Sequence, residues 1–226
     1  MNLIRHGKTK DVYEGENGDI VLVFKDDATG GADGVFDPGQ NHIIGKIEGA
    51  GNASLRITDY LYKKIEEAGI KTHIVNIDIP NNTMTVKAAE LFGEGLECIC
   101  RFKAAGSFIR RYGAYIENGT ELDALFEMTI KDDDREDPIL IEDAGVALGI
   151  LQPGEYDIIK DLTRRISTIV RDTLAEKGID VYDLKMEFGK VNGEIILVDE
   201  ISGGSMRGFK DGVALSPIEL TNIATA

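Results

Sequence analysis

Cysteine and proline are scarce in this sequence, and no long apolar run interrupts it. The 226 residues include two cysteines and five prolines. Five prolines and 26 glycines are too few for a collagen-like or linker-dominated chain. No window approaches the ~18 consecutive apolar residues of a membrane span, and residues 1–7 lack the apolar core of a signal peptide. The expectation is a cytosolic chain with no membrane partner. Cys98 and Cys100 sit two apart in a segment that reads as a strand. Their α-carbons would be roughly 6.6 Å apart at ~3.3 Å rise per residue, near the upper limit for a disulfide. A Cys-x-Cys alone is also poor zinc-ligand spacing. Two buried free thiols in a reducing compartment are expected. Histidine is scarce as well: His6, His42 and His73 have no partners at metal spacing, and no serine sits in a nucleophile-elbow sequence.

Positive charge is in deficit. Forty acidic against 25 basic residues leave a formal net charge of −15, and such a surface repels nucleic acid and anionic lipid. The basic residues nevertheless fall in pairs: Lys8 with Lys10, Arg101 with Lys103, Arg110 with Arg111. In an acidic protein these are either pockets for small phosphorylated ligands or simply solvated charges.

At 42% apolar residues the chain can bury a sizeable core, as one large domain or two lobes. Residues 11–25 read as strand, turn and strand. Residues 26–51, rich in glycine and aspartate with little periodicity, read as a long loop. Helical spacing over 53–68 ends at Gly69. Short strands follow over 71–79, 83–89 and 96–102. Residues 156–177 form the clearest helix, with Ile158, Ile159, Leu162, Ile166, Ile169, Val170 and Leu174 on one stripe. Residues 181–188 and 194–201 read as a hairpin about Asn192-Gly193. Strands dominate the first hundred residues, and helix with hairpin the rest. That segregation predicts an α+β fold with a smaller N-terminal lobe and a boundary near 90–95.

Four constellations carry chemistry. Gly7-Lys8-Thr9-Lys10 offers close backbone approach and two ammonium groups to a polyphosphate, without the spacing of a Walker loop. Arg101 to Ser107, followed by Arg110-Arg111, offers backbone N–H groups, a hydroxyl and guanidinium forks where a strand turns into a helix. On that strand Glu97, Ile99 and Arg101 share a face, which also permits a plain Glu97–Arg101 ion pair on a solvated surface. Alternation in Asp183-Leu184-Lys185-Met186-Glu187-Phe188 turns Asp183, Lys185 and Glu187 to one face. They form either a metal and phosphate platform or an ordinary amphipathic hairpin. A strict two-residue turn at Asn192-Gly193 would set Glu187 opposite Val198 and send Asp199 to the other face, so a shared metal site predicts a bulge at Gly189. The fourth is the acidic turn 131–138, which by itself reads as solvent-exposed.

Taken in order, these segments resemble the SAICAR synthetase family over roughly residues 5–211. The best stretches are 7–13, Phe24-Lys25-Asp26-Asp27-Ala28-Thr29, 101–107, and Lys185-Met186-Glu187-Phe188-Gly189 with Asp199-Glu200-Ile201-Ser202. The resemblance implies a small β-rich N-terminal lobe (1–92) over a larger α/β lobe (93–226), with ATP in the cleft between. By it Lys8, Lys10, Lys25 and Lys87 would meet ATP, and Glu187, Asp199 and Asp137 would hold Mg²⁺. Lys185, Asp183 and Lys131 would serve the chemistry, and Glu97, Arg101, Ser107 and Arg207 would take the substrate. The implied activity joins carboxyaminoimidazole ribotide to aspartate through an acyl phosphate at the expense of ATP. Implied partners are a phosphorylated ribotide and an amino acid, with a homodimer allowed. Ser54-Leu55 stands where the family typically has Asn-Asn, and Ser202-Gly203-Gly204-Ser205-Met206-Arg207 lacks the aspartate of its Ser-Pro-Asp motif. Three alternatives stay open: a relative with another carboxylate or amine substrate, a non-catalytic nucleotide binder, and a phosphotransferase.

Overall fold

The structure, a computed structural model, describes residues 2–30 and 42–226. Strands β1 (Leu3–His6), β2 (Lys10–Glu14) and β3 (Ile20–Phe24) run as an antiparallel meander, with β2 and β3 falling on the expected strand-turn-strand. Strands β4 (Asp27–Gly30) and β5 (His42–Lys46) pair with each other. The segment 26–51 is therefore not uniformly a loop. Its strands are four and five residues long, contain glycine, and find their partners across residues 31–41, so no local period announces them. The middle of the expected loop, 31–41, lies outside the described residues.

Helix α1 (Ala50–Glu67) starts earlier than its periodicity indicates, behind Gly49 in the left-handed region, and Gly69 at φ 80° stops it as expected. The N–H of Gly51 donates to Asp26 Oδ1 at 3.0 Å and so anchors the first turn. Strands β6 (Ile74–Asp78) and β7 (Thr83–Val86) complete a five-stranded sheet in the order β1-β2-β3-β7-β6. Next come β8 (Glu90–Leu91), β9 (Leu96–Lys103), α2 (Ser107–Tyr112), β10 (Glu121–Ile130), α3 (Glu142–Ala147) and α4 (Glu155–Ala175). After them come β11 (Asp180–Val191), β12 (Glu194–Val198), β13 (Met206–Lys210), β14 (Val213–Ala214) and α5 (Pro217–Ala224). The second sheet has seven strands. β10, β9, β11, β13 and β14 are neighbours in that order, and β8 and β12 also pair with β11.

This larger sheet separates core from chemistry by alternation. Cys98, Cys100, Met128, Leu184, Met186 and Phe188 are buried in one large cluster with Ile159, Ile166, Val170 and Leu174 of α4. The two thiols are free and buried, and burial pushes both above their ordinary value. Helix α1 adds Ile57, Leu61, Tyr62 and Ile65 to the same cluster, while Leu55 faces the smaller cluster under the first sheet. It thereby links the two cores. Helix α5 rests on α1, where Thr221 Oγ1 donates to the Ala53 carbonyl at 3.2 Å. Its start carries a Ser216–Glu219 capping box with Pro217 behind the cap. No helix among the described residues is long and apolar enough to cross a membrane.

The buried stripe of α4 is Ile159, Thr163, Ile166, Ser167, Val170 and Leu174. Ile158, expected on it, is half exposed. The contrast is measurable by urea denaturation. Ile166→Ala should cost about 2–5 kcal/mol through transfer and cavity terms, whereas Ile158→Ala should stay within about 0.5 kcal/mol.

Candidate active site

Between the two sheets lies a cleft of about 760 Å³. One wall is apolar, with Val12, Leu22, Phe24 and Val86 from the first sheet and Met186 and Val198 from the second. Lys8, Lys10, Lys25, Lys87, Lys131 and Lys185 ring it, facing Glu97, Glu187, Asp199 and Glu200. The tight turn before β2 needs its glycine, because a Cβ on Gly7 would stand 2.2 Å from the Lys10 carbonyl oxygen. That turn puts both lysines over the cleft. Lys8 reaches Asp133 at 2.5 Å, and Lys10 pairs with both Asp199 and Glu200. Lys25 donates to the Gly7 carbonyl at 2.8 Å and lies 3.3 Å from Asp27.

Glu187 and Asp199 come together without the expected bulge. The β11–β12 hairpin is regular, with Val191 opposite Glu194, Gly189 opposite Ile196 and Glu187 opposite Val198. The second strand simply ends at Val198, earlier than expected. Asp199 then takes φ 63°, a left-handed corner rare for a residue with a Cβ, and this turns its carboxylate into the cleft instead of the core. Two buried side chains pin the corner. The Tyr62 hydroxyl donates to the Asp199 carbonyl at 2.9 Å, and His73 Nε2 lies 3.2 Å from the same oxygen. A carbonyl only accepts, so Nε2 carries the ring proton. Burial lowers the His73 pKa from 6.5 to about 4, keeping the ring neutral, and raises the Tyr62 phenol well above its usual value.

The carboxylates themselves diverge. Burial raises Glu187, with the Asp199 charge adding to it. Asp199 is lowered, because Lys10 and then Lys131 outweigh its own burial. Lys131 donates to Glu187 Oε1 at 2.6 Å. Burial pulls its ammonium down, but Glu187 and Asp199 outweigh burial and hold it above the ordinary lysine value. Among the described residues no group of three or more His, Cys, Asp or Glu is arranged to hold a metal. Two carboxylates that leave the remaining positions to phosphate and water do, however, fit the way magnesium is usually held.

A second cavity of about 80 Å³ opens on the same face of the larger sheet. Arg101, Ser107, Arg110, Arg111 and Arg207 stand on its wall, and it shares Glu97, Lys185 and Ser205 with the main cleft. Lys185 Nζ donates to Glu97 Oε1 at 2.7 Å, so the anticipated Glu97–Arg101 ion pair is not the one that forms. Arg101 is 2% exposed and donates instead to Glu127 (2.6 Å), Asp183 (2.7 Å), the Ala105 carbonyl (3.3 Å) and Ser107 Oγ (3.0 Å). Asp183 also accepts from Arg207 at 2.7 Å. The compact turn at 202–205, in which Ser205 Oγ accepts the Ser202 N–H at 3.0 Å, delivers Arg207 to β13 opposite Asp183. Gly106, at φ 56°, has a Cβ position 2.4 Å from the Arg207 guanidinium, so only glycine lets that side chain lie there.

Every site residue that the family resemblance implied lies on one of the two cavities, whereas Lys103 of the basic pairs lies on neither and pairs with Asp180. Lys8, Lys10, Lys25, Lys87, Lys131, Glu187 and Asp199 line the main cleft, and Arg101, Ser107, Asp183 and Arg207 the smaller one. Asp137 lines the smaller cavity, apart from the Glu187–Asp199 pair. It accepts the Asp132 N–H at 2.9 Å, and burial followed by the Glu97 charge raises its pKa. The turn that read as solvent-exposed contributes Lys131, Asp132 and Asp133 to the cleft wall. Sequence reasoning missed Tyr62, His73 and Glu127, which touch the site residues from behind. Only the opposite charge of Glu127 near the arginines offered a signal.

Two antiparallel sheets with a lysine- and carboxylate-ringed cleft between them define a phosphate-handling α+β protein. The chain matches the SAICAR synthetase family model over residues 3–214 and belongs to that family. It is 51% identical to a phosphoribosylaminoimidazole-succinocarboxamide synthase of Clostridium tetani over 225 residues, 99% of each chain. It is 37% identical to one of Finegoldia magna, covering 92% of this chain and 85% of that one. Among solved structures, a type-2 SAICAR synthetase in complex with ADP superposes with a TM-score of 0.83 at 29% identity, covering 94% of this chain and 87% of that one. The synthase from Ehrlichia chaffeensis gives 0.84 at 27% identity, covering 95% and 89%. The Clostridium tetani alignment runs nearly the full length of both chains, so a relative with changed substrates is not favoured.

The Tyr62 hydroxyl serves two carbonyls, those of Asp199 and Val198. Tyr62→Phe should therefore lower unfolding stability by about 1–3 kcal/mol, read as a shifted urea midpoint with an unchanged slope.

Proposed function

We propose that this chain forms an amide between carboxyaminoimidazole ribotide and L-aspartate, using ATP and passing through an acyl phosphate, as a cytoplasmic enzyme of purine biosynthesis. The observation that carries the reading is the contact between the two cavities. A lysine-ringed cleft meets an arginine-walled cavity at the Glu97–Lys185 pair, so a nucleotide and an anionic substrate can lie end to end. The names of the full-length relatives point the same way.

In this reading the apolar wall takes the nucleotide base, and Lys8, Lys10, Lys25 and Lys87 take its phosphates. Glu187 and Asp199 would hold magnesium, which neutralises phosphate charge when bound. Arg101, Ser107 and Arg207 hold the ribotide phosphate, and Asp183, beside them on the cavity wall, positions the two arginines. Lys185, at the junction, stabilises the phosphoryl group as it passes to the substrate carboxylate. The amine of aspartate then attacks the activated carbonyl, and phosphate leaves. Alignment of reactants and fixed positive charge supply the acceleration, with no covalent step on the protein. The lobe division at residue 92 belongs to the same proposal, with α1 packed against both cores.

Incubation with Mg-ATP, carboxyaminoimidazole ribotide and aspartate should yield ADP and succinocarboxamide product in equal amounts. ADP formed without amide would sink the reading. Glu187→Gln removes one carboxylate of the pair and leaves Lys131 without its partner. It should raise the magnesium concentration needed for half-maximal rate by about 10–100-fold, with the fold intact by circular dichroism.

A further inference from the structure

We propose that Glu127 is a positioning residue for the smaller cavity, holding the arginine of a strand and the arginine of a helix at the spacing an anionic substrate group requires. The inference rests on the functional reading above and assigns a role to a residue outside the sets already described. Glu127 is buried on β10 and is not part of the cavity wall. Its register partner is Ile99, so its side chain reaches diagonally along β9 to Arg101, whose own partner is Leu125. Oε2 accepts from Arg101 Nε at 2.6 Å, and Oε1 accepts from Arg111 Nη2. One carboxylate on β10 therefore joins the neighbouring strand β9 to α2, and each oxygen is committed to a different guanidinium.

The consequence for the cavity follows from counting donors. A guanidinium carries five N–H groups. Arg101 directs four hydrogen bonds to protein acceptors: one from Nε, two from Nη1 and one from Nη2. Among the described residues one Nη2 N–H is thus left for a ligand on a side chain that is otherwise immobilised. Glu127 neutralises Arg101 and Arg111 from outside the cavity wall and Asp183 neutralises Arg101 and Arg207 on it, and guanidinium forks so held suit a doubly charged group such as a phosphate monoester. Helix α2 has a second anchor in buried Phe108, which lies under the Arg101 guanidinium at 5.7 Å. Removing Glu127 should therefore loosen the two arginines before it releases the helix.

Glu127→Gln keeps the size of the side chain but replaces one acceptor with a donor facing a guanidinium. The ribotide KM should rise about tenfold or more, the size commonly carried by groups that orient a ligand's direct contacts, while the ATP KM and kcat change little. Glu127→Asp, with charge and both oxygens on a shorter stem, should recover part of the loss. Thermal unfolding is recorded in parallel. An unchanged ribotide KM, or both KM values rising in proportion with a lowered Tm, overturns the proposal. If Glu127→Gln does not fold, the same constants are read on Glu127→Asp, where an unchanged ribotide KM overturns it. If the wild-type protein makes no amide, the functional reading alone has failed. Ribose 5-phosphate is then titrated calorimetrically: weaker binding to the variant supports the role of Glu127, and equal binding, or none to the wild type, overturns it.

Discussion

The left-handed corner at Asp199 is the constraint on which the site depends. A residue with a Cβ at positive φ costs roughly 1–3 kcal/mol, and the surroundings hold it there from several directions. Tyr62 comes from α1, His73 from the segment before β6, and Lys10 from β2 across the cleft. Those three contacts join the core helix, the first sheet and the hairpin at one backbone carbonyl and one carboxylate. Without the corner the regular hairpin would send Asp199 into the apolar layer, away from Glu187. The two carboxylates would then not be neighbours, and Lys10 would lose the acceptors that place it over the cleft.

Behind the corner, the seven-stranded sheet divides its labour by the period of a strand. Leu96, Cys98, Cys100, Met128, Leu184, Met186 and Phe188 meet α4, and the alternate positions Glu97, Arg101, Asp183, Lys185 and Glu187 meet substrate space, with Glu127 paired to Arg101 away from the cavity wall. Burying so many charges is unfavourable unless each is paired and hydrogen-bonded. The face meets that condition: Arg101 is held between Glu127 and Asp183, Lys185 faces Glu97, and Lys131 faces Glu187. The neutral thiols on the opposite face add no charge to the core.

The protein's net charge of −15 is thus not a description of its site. The cleft holds lysines and carboxylates in pairs, and the smaller cavity sets Arg101, Arg110, Arg111 and Arg207 beside Glu97, Glu136, Asp137 and Asp183. An acidic exterior with basic recesses favours small anions over polyanionic chains, since a recess admits a phosphate group and the outer surface repels a duplex.

Period and turn chemistry determined a good deal by themselves. The hairpin at Asn192-Gly193, the α4 helix, the α1 stop at Gly69 and the shared face of Asp183, Lys185 and Glu187 are local, set by residues a few positions apart. Ordered motifs such as Gly7-Lys8-Thr9-Lys10 and Asp199-Glu200 also marked the family. What only the tertiary structure decided are contacts between distant segments. These are the β4–β5 pairing across the undescribed stretch, the Asp199 corner reached by a backbone angle and not by a bulge, and the choice of Glu127 and Asp183 over Glu97 as partners of Arg101. Each turns on which of several chemically equal neighbours lies within about 3 Å, the reach of a hydrogen bond. That distance is fixed by sheet register and helix packing summed over the whole chain, and no local window contains it.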